Sequence, residues 1–244
     1  MDRALVAVTA GAAALGLAGG GLVYASVWPT SQLFGRTLIA GGDAREIALT
    51  FDDGPNDAAT PQLLEVLARH GVRATFFIIG GFALQRPELV RAVAAAGHLI
   101  GNHTMSHPKL SVTPAARVRQ ELVECSAVLE DITGAAVKFF RPPFGARRPA
   151  VLRIPRELGL VPVMWNVTGY DWEPIGAEKI LAKLNAGIAR NGSASRGSNL
   201  LLHDGGHRAM GSPRMDTVRA VERLLAAHAG SATRFVTVDA WAEA

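Results

Sequence analysis

The chain has 244 residues, 49% of them apolar, with 25 basic and 21 acidic side chains and a formal charge of +4. That is enough apolar material for one sizeable core, and the length suits a single α/β barrel. The basic residues form no long Lys/Arg block, which excludes a nucleic-acid stripe; the single cysteine, Cys125, excludes an intramolecular disulfide and a Cys-rich zinc site, so any metal must be held by His and carboxylates.

After Asp2 and Arg3, the stretch from Ala4 to Trp28 carries no charge. Its length is about what a helix needs to cross the hydrocarbon core of a bilayer. Its Ala and Gly content makes it weakly hydrophobic, and Val23-Tyr24-Ala25 offers a small-residue cleavage site. Residues 1–28 therefore read either as a signal peptide or as an N-terminal membrane anchor. With Arg3 held inside by the positive-inside tendency, the remainder is expected to be extracytoplasmic, membrane-anchored or secreted. Residues 29–44 are rich in turn formers and lack periodicity, so they read as a linker into one domain, residues 45–244.

In that domain, short apolar runs alternate with amphipathic ones. Strands are expected at Glu46 to Phe51, Ala74 to Ile79, His98 to Asn102, Lys138 to Arg141, Val161 to Val167, Asn199 to His203 and Phe235 to Val238. Between them, Thr60 followed by Pro61 reads as a helix N-cap with proline in the first turn, and Gly71 as the stop. Further helices are expected at Pro87 to Ala96, Thr113 to Gly134, Pro149 to Leu158, Ala177 to Arg190 and Met215 to Ala229, with Pro155 making the one from Pro149 to Leu158 irregular or kinked. Alternation of this kind implies crossovers between parallel strands. The fold class is α/β, a single-domain, distorted seven-stranded (β/α) barrel, TIM-barrel-like, whose active site belongs at the C-terminal ends of the strands.

Polar residues of catalytic type do follow the apolar runs. Asp52 and Asp53 follow the first strand, His103 and His107 the third, Arg141 with Pro142-Pro143-Phe144-Gly145 the fourth, Asp171 and Trp172 the fifth, and His203 with Asp204 the sixth. The Asp-Asp-Gly-Pro-Asn run by itself reads as a charged turn. Its recurrence with four other strand ends points instead to one convergent site. In His-Thr-Met-Ser-His the two imidazoles are four residues apart, and a helical turn would set both on one face to grip an ion. With an aspartate from another strand they make a three-ligand set that leaves coordination open for water.

The ordered set "TFDDGP", "HTMSH", "RPPFG", "DW" and "LLHDG" resembles the polysaccharide deacetylase family, carbohydrate esterase family 4, from about Arg45 to the C-terminus. The resemblance implies a metal-dependent hydrolase that removes N-acetyl groups from the amino sugars of a polysaccharide. It makes Asp53, His103 and His107 the ligands of a divalent metal, usually Zn2+, Asp52 the general base and His203 the general acid. It assigns Arg141 to keep Asp52 ionised and Asp171 to keep His203 protonated. The Phe144 amide would meet the oxyanion, because Pro142 and Pro143 have no N–H. Trp172 and Leu201 would wall the acetyl pocket.

Phe144 stands where the family often has tyrosine, and Leu99 where an acidic residue is frequent. His70, His98 and His228 read as structural, and His207 and Asp204 acquire no specific role. Competing readings are a non-haem iron oxygenase, which also uses two His and a carboxylate, a non-catalytic carbohydrate-binding protein that keeps the fold, and a hydrolase of another C–N bond or of an O-acetyl ester. Peptidoglycan and chitin-like polymers are the expected substrates, with no nucleic-acid partner and with membrane association through the N-terminal segment.

Overall fold

The computed structural model describes residues 20–242. Most of the uncharged N-terminal stretch lies outside the described residues. Among the described residues no helix is long and apolar enough to cross a membrane.

The chain runs β1 (Glu46–Gly54), α1 (Ala59–Arg69), β2 (Thr75–Ile78), α2 (Gly80–Gln85), α3 (Pro87–Ala95), β3 (Leu99–Asn102), α4 (Ala115–Thr133) and β4 (Phe139–Phe140). It continues with α5 (Pro149–Glu157), β5 (Val161–Pro162), β6 (Val167–Thr168), α6 (Ala177–Ser193), β7 (Ser198–His203), α7 (Met215–His228) and β8 (Arg234–Phe235). The strands lie in the order β5-β4-β3-β2-β1-β7-β6, all parallel.

The two ends of this path, β5 and β6, are nearly consecutive in the chain. The run Val161 to Val167, expected as one strand, is two: its first part pairs with β4 and its last with β7. This broken strand curls the sheet into a distorted barrel. Leu38 supports the break, because its N–H donates to Pro162 O (2.9 Å) and its carbonyl accepts Met164 N (2.8 Å). The last expected strand also shifts. β8 pairs with the start of β1, outside the path of seven, and Val238 begins a single 3₁₀ turn, Val238–Trp241.

Side-chain alternation explains where the core sits. Ile47, Leu49 and Phe51 of β1, Phe76 and Ile78 of β2, and Leu200 and Leu202 of β7 pack outward in one cluster with the helices. Each such side chain is worth roughly 1.5–3 kcal/mol when fully buried. The intervening Ala48 and Phe77 belong to a second cluster, with Phe139, Val163 and Trp241. Thr50, Asp52 and Asn199 take the same inward phase further along their strands and are also buried. The interior is therefore apolar at one end and polar at the C-terminal end, where the site forms.

Helix α1 begins differently from expectation. Asn56 supplies the cap, its Oδ1 accepting Ala58 N (2.9 Å) and Ala59 N (3.0 Å). Thr60 lies inside the helix, and its hydroxyl accepts Asn56 N (2.8 Å) and donates to Asp204 (2.5 Å). Gly134 ends α4 in the left-handed conformation expected of a C-terminal glycine.

Candidate active site

β1 ends in a bulge. Asp52 pairs with Phe77 and Gly54 with Ile78, so Asp53 is an extra residue, with φ of 69°. Adjacent strand residues normally face opposite ways, and the bulge lifts that restriction. Both carboxylates line one cleft of about 600 Å3.

Asp52 is anchored from below. The Arg141 guanidinium, fully buried, donates to Asp52 Oδ1 (2.8 Å), Thr50 Oγ1 (2.7 Å) and Asn199 Oδ1 (3.3 Å). Burial pushes against the charge on Arg141, and the Asp52 carboxylate opposes that effect. Arg141 O also accepts the His103 Nδ1 proton (2.8 Å). A carbonyl can only accept, so His103 carries its proton on Nδ1 and turns a free Nε2 into the site.

The two histidines do not sit on a helical turn, contrary to the expectation from their spacing. Residues 103–107 form a loop with φ of 70° at Thr104 and 56° at His107. Side chains hold it there. Asn102 Oδ1 accepts Thr104 N (2.8 Å), Thr104 Oγ1 accepts His107 N (3.0 Å), and buried Glu121 accepts the Ser106 amide (2.8 Å) and hydroxyl (2.6 Å). A β-branched residue at positive φ is a true outlier and is kept only by such surroundings.

His107 Nε2 lies 3.1 Å and His103 Nε2 3.4 Å from Asp53 Oδ1. That oxygen is buried and accepts no hydrogen bond among the described residues. Ligand atoms about 2.0–2.1 Å from one tetrahedral ion are about 3.3 Å apart. Both separations from Asp53 Oδ1 are near that spacing, and the three residues whose ligand atoms all lie within 4.8 Å of one another are Asp53, His107 and His207, so an Asp-His-His set here suits a divalent metal. Burial opposes ionisation of Asp53, but the imidazoles of His103, His107 and His207 outweigh it and hold the carboxyl well below its ordinary range. Burial likewise keeps the His107 imidazole below its ordinary pKa, against the pull of Asp53, so its lone pair stays available.

Across β1, His203 is the register partner of Asp52. Asp171 Oδ1 accepts the His203 Nδ1 proton (2.8 Å), while Asp171 Oδ2 accepts His203 N (2.7 Å) and Thr217 Oγ1 (2.8 Å). Burial works against protonation of His203, but Asp171, helped by Asp53 and Asp52, raises it to about 9. Phe144 sits in a 3₁₀ turn at φ of 58°, and its amide donates to no protein group among the described residues. Leu201 lines the cleft from a small cluster with Met164 and Trp165, and Trp172 sets its ring edge-on to His203 at 5.4 Å. Thus Asp52, Asp53, His103, His107, Phe144, Trp172, Leu201 and His203 share the cleft, with Arg141 and Asp171 directly behind.

Residues 40–163 match the family model for polysaccharide deacetylases. The chain belongs to the polysaccharide deacetylase family, carbohydrate esterase family 4, and is a hydrolase of that family. A chitooligosaccharide deacetylase from Sinorhizobium fredii is 39% identical over 194 residues, 77% of this chain and 87% of that protein. A peptidoglycan-N-acetylglucosamine deacetylase from Bacillus cereus is 36% identical over 79% of this chain and 66% of its own length. The crystal structure of a peptidoglycan N-acetylglucosamine deacetylase in complex with 4-naphthalen-1-yl-N-oxidanyl-benzamide matches with a TM-score of 0.74 and 33% identity, covering 83% of this chain and 91% of that one.

Two residues of this polysaccharide deacetylase site were left without a role by sequence reasoning. Asp53, His107 and His207 offer ligand atoms that all lie within 4.8 Å of one another. The His207 ring stacks flat on His107 (4.5 Å, 17°), and its amide donates to Asp53 Oδ2 (3.1 Å). It thus covers one candidate ligand and holds the far oxygen of another, while His103, with its free Nε2, converges on Oδ1. Asp204 is buried beside β1, its amide donating to Asp52 O (3.2 Å), and burial drives its carboxyl up to about 7. A histidine four residues after His203 is the only sequence signal for His207, and nothing in the order of residues shows that the loop folds back. His98 is structural, its ring tilted against Phe76 at 5.3 Å with Nδ1 accepting Ala74 N (3.2 Å), and burial lowers it to about 4.

The fold-back depends on Gly205, where a Cβ would collide with the Asp53 carbonyl. Gly205→Ala is expected to weaken metal binding about 10- to 100-fold by displacing a ligand's support. Metal content by elemental analysis, with circular dichroism to confirm folding, checks this; full metal retention would overturn it.

Proposed function

We propose that the protein removes N-acetyl groups from amino sugars of a peptidoglycan or chitin-like polymer outside the cytoplasm. The observation that carries this reading is the division of the doublet. Asp52 is ion-paired to Arg141 at 2.8 Å, with His103 Nε2 at a longer 3.8 Å, whereas Asp53 Oδ1 faces both imidazoles at 3.1 and 3.4 Å. Adjacent carboxylates are thereby available for two different tasks.

Asp53, His103 and His107 would hold a divalent ion, and zinc suits two imidazoles and one carboxylate. Such an ion supplies a lowered pKa for a water molecule and polarisation of the acetyl carbonyl. Asp52, held in place by its ion pair with Arg141, takes a proton from the water as its oxygen attacks the carbonyl carbon. The Phe144 amide donates to the carbonyl oxygen as it gains charge. His203, protonated because of Asp171, donates from Nε2 to the sugar nitrogen as the C–N bond breaks. Acetate and a free amine leave. Leu201 and Trp172 offer an apolar surface to the acetyl methyl. The chemistry belongs to a linear amide, so the name and assay differ from those of a peptidase.

Asp52→Asn is expected to lower acetate release about a thousandfold with metal content unchanged, and retained turnover in a coupled acetate assay would remove Asp52 as the base. The acid is tested by pH. A raised His203 pKa keeps the acid form present up to about pH 9, so activity is lost as pH rises through that value. Asp171→Asn removes the charge responsible and moves the alkaline limb of kcat to lower pH; an unmoved limb would contradict the assignment. The uncharged stretch Ala4 to Trp28 supports an extracytoplasmic location. Cell fractionation is expected to find the activity in membranes or medium, and confinement to the cytosol would rule this out.

A further inference from the structure

A second cavity, of about 640 Å3, lies next to the cleft. Trp165 lines both. A second connection runs along the rim, where Trp172, which lines the cleft, stands 5.2 Å by ring centroid from Tyr170, which lines the second cavity. Tyr170 has φ of 54°, an outlier for a bulky residue, and leaves 43% of its surface in solvent. Backbone strain spent on exposing an aromatic ring is the pattern of a binding surface rather than of a core.

The chemistry of this cavity differs from that of the cleft. Lys183, Arg190 and Arg196 line it, and no carboxylate does. None of the three cations is in an ion pair among the described residues. Lys183 Nζ sits 4.7 Å from the Tyr170 ring centroid. Lys183 and Arg190 are seven apart on α6, hence on one face. Gly187 lies between them, and a Cβ there would run into the Val167 side chain, so glycine lets α6 press that face close to β6.

We propose that this cavity is a distal subsite for an oxyanion-bearing stretch of the same glycan whose N-acetyl group occupies the cleft. Sugar faces lie along Trp172 and Tyr170, and carboxylate or phosphate groups on the polymer pair with Lys183, Arg190 and Arg196. The assignment rests on reading the cleft as a glycan deacetylase site. The track of rings leading from that cleft favours a glycan over a membrane surface.

The test uses full-length Asp52→Asn protein, which binds without turnover, and three oligosaccharides of equal length: a neutral N-acetylglucosamine hexamer, one carrying lactyl carboxylates and one carrying phosphates. Calorimetry is expected to show at least one acidic hexamer bound about tenfold more tightly than the neutral one, the worth of a charged hydrogen bond. Added salt should shrink the difference. Lys183→Ala with Arg190→Ala should abolish the preference, read as the ratio of acidic to neutral hexamer affinity. Whichever acidic hexamer is preferred identifies the oxyanion. Equal affinities for all three, or a preference that survives the double substitution, would overturn the proposal. So would binding to anionic phospholipid vesicles that needs the two cations while no glycan preference exists. With Asp52 intact, absence of acetate release from every hexamer alongside an intact binding preference would sink the deacetylation reading alone.

Discussion

A buried guanidinium organises this protein. Arg141 lies inside the barrel where water cannot solvate it, and an unpaired charge there costs several kcal/mol or more. The compensation comes from Asp52, Thr50 and Asn199, and from Phe77, whose ring centroid lies 4.2 Å from the guanidinium carbon. These partners belong to β1, β2 and β7, while Arg141 follows β4. One side chain therefore ties together strands from both halves of the sheet. Its backbone carbonyl also sets the tautomer of His103. The position of one carboxylate and the free lone pair of one imidazole thus depend on the same residue.

Backbone strain concentrates around this centre. Asp53, Thr104, His107, Phe144 and Tyr170 all take positive φ without being glycine. Such conformations cost of order 1–3 kcal/mol each and persist only where surrounding contacts over-determine them. Here the contacts are identifiable: the β1 bulge, the Asn102, Thr104 and Glu121 hydrogen bonds, and the packing of β1, β2 and β7 against the outer helices. The consequence for function is rigidity. Side chains held in one arrangement by their surroundings need little rearrangement to act.

The electrostatic layout follows the same division. Asp52 and Asp53, with the imidazoles, line the cleft together with Arg208 and Arg214, whereas the cavity beyond Trp165 and Tyr170 is lined by Lys183, Arg190 and Arg196 and by no carboxylate. A polymer drawn across both would meet a reacting centre at one point and a charge-selective surface at another. That separation would let binding energy from a remote part of the substrate position the reacting group.

The sequence by itself determined the class of fold and most of the polar residues that line the cleft. Alternating apolar runs implied parallel βα units, and polar residues at strand ends marked where chemistry would gather. Both are local patterns, legible because strand and helix periodicities are properties of the chain. Tertiary structure decided the rest. It split Val161 to Val167 between two neighbours, because closing the barrel asks one segment to pair at both edges of the sheet. It placed Thr60 inside α1, its hydroxyl bonded to the distant Asp204, and left Asn56 to accept the first free amides. It replaced the expected helical turn at His103 to His107 with a strained loop and brought His207 back over Asp53. Those outcomes depend on contacts between residues far apart in the chain, such as Arg141 with Asp52 or Gly205 with Asp53, and a pattern read along one dimension does not contain them. For the aspartate doublet, the chain supplied two carboxylates in a row, and only the bulge, an event of pairing with β2, turned them toward one site.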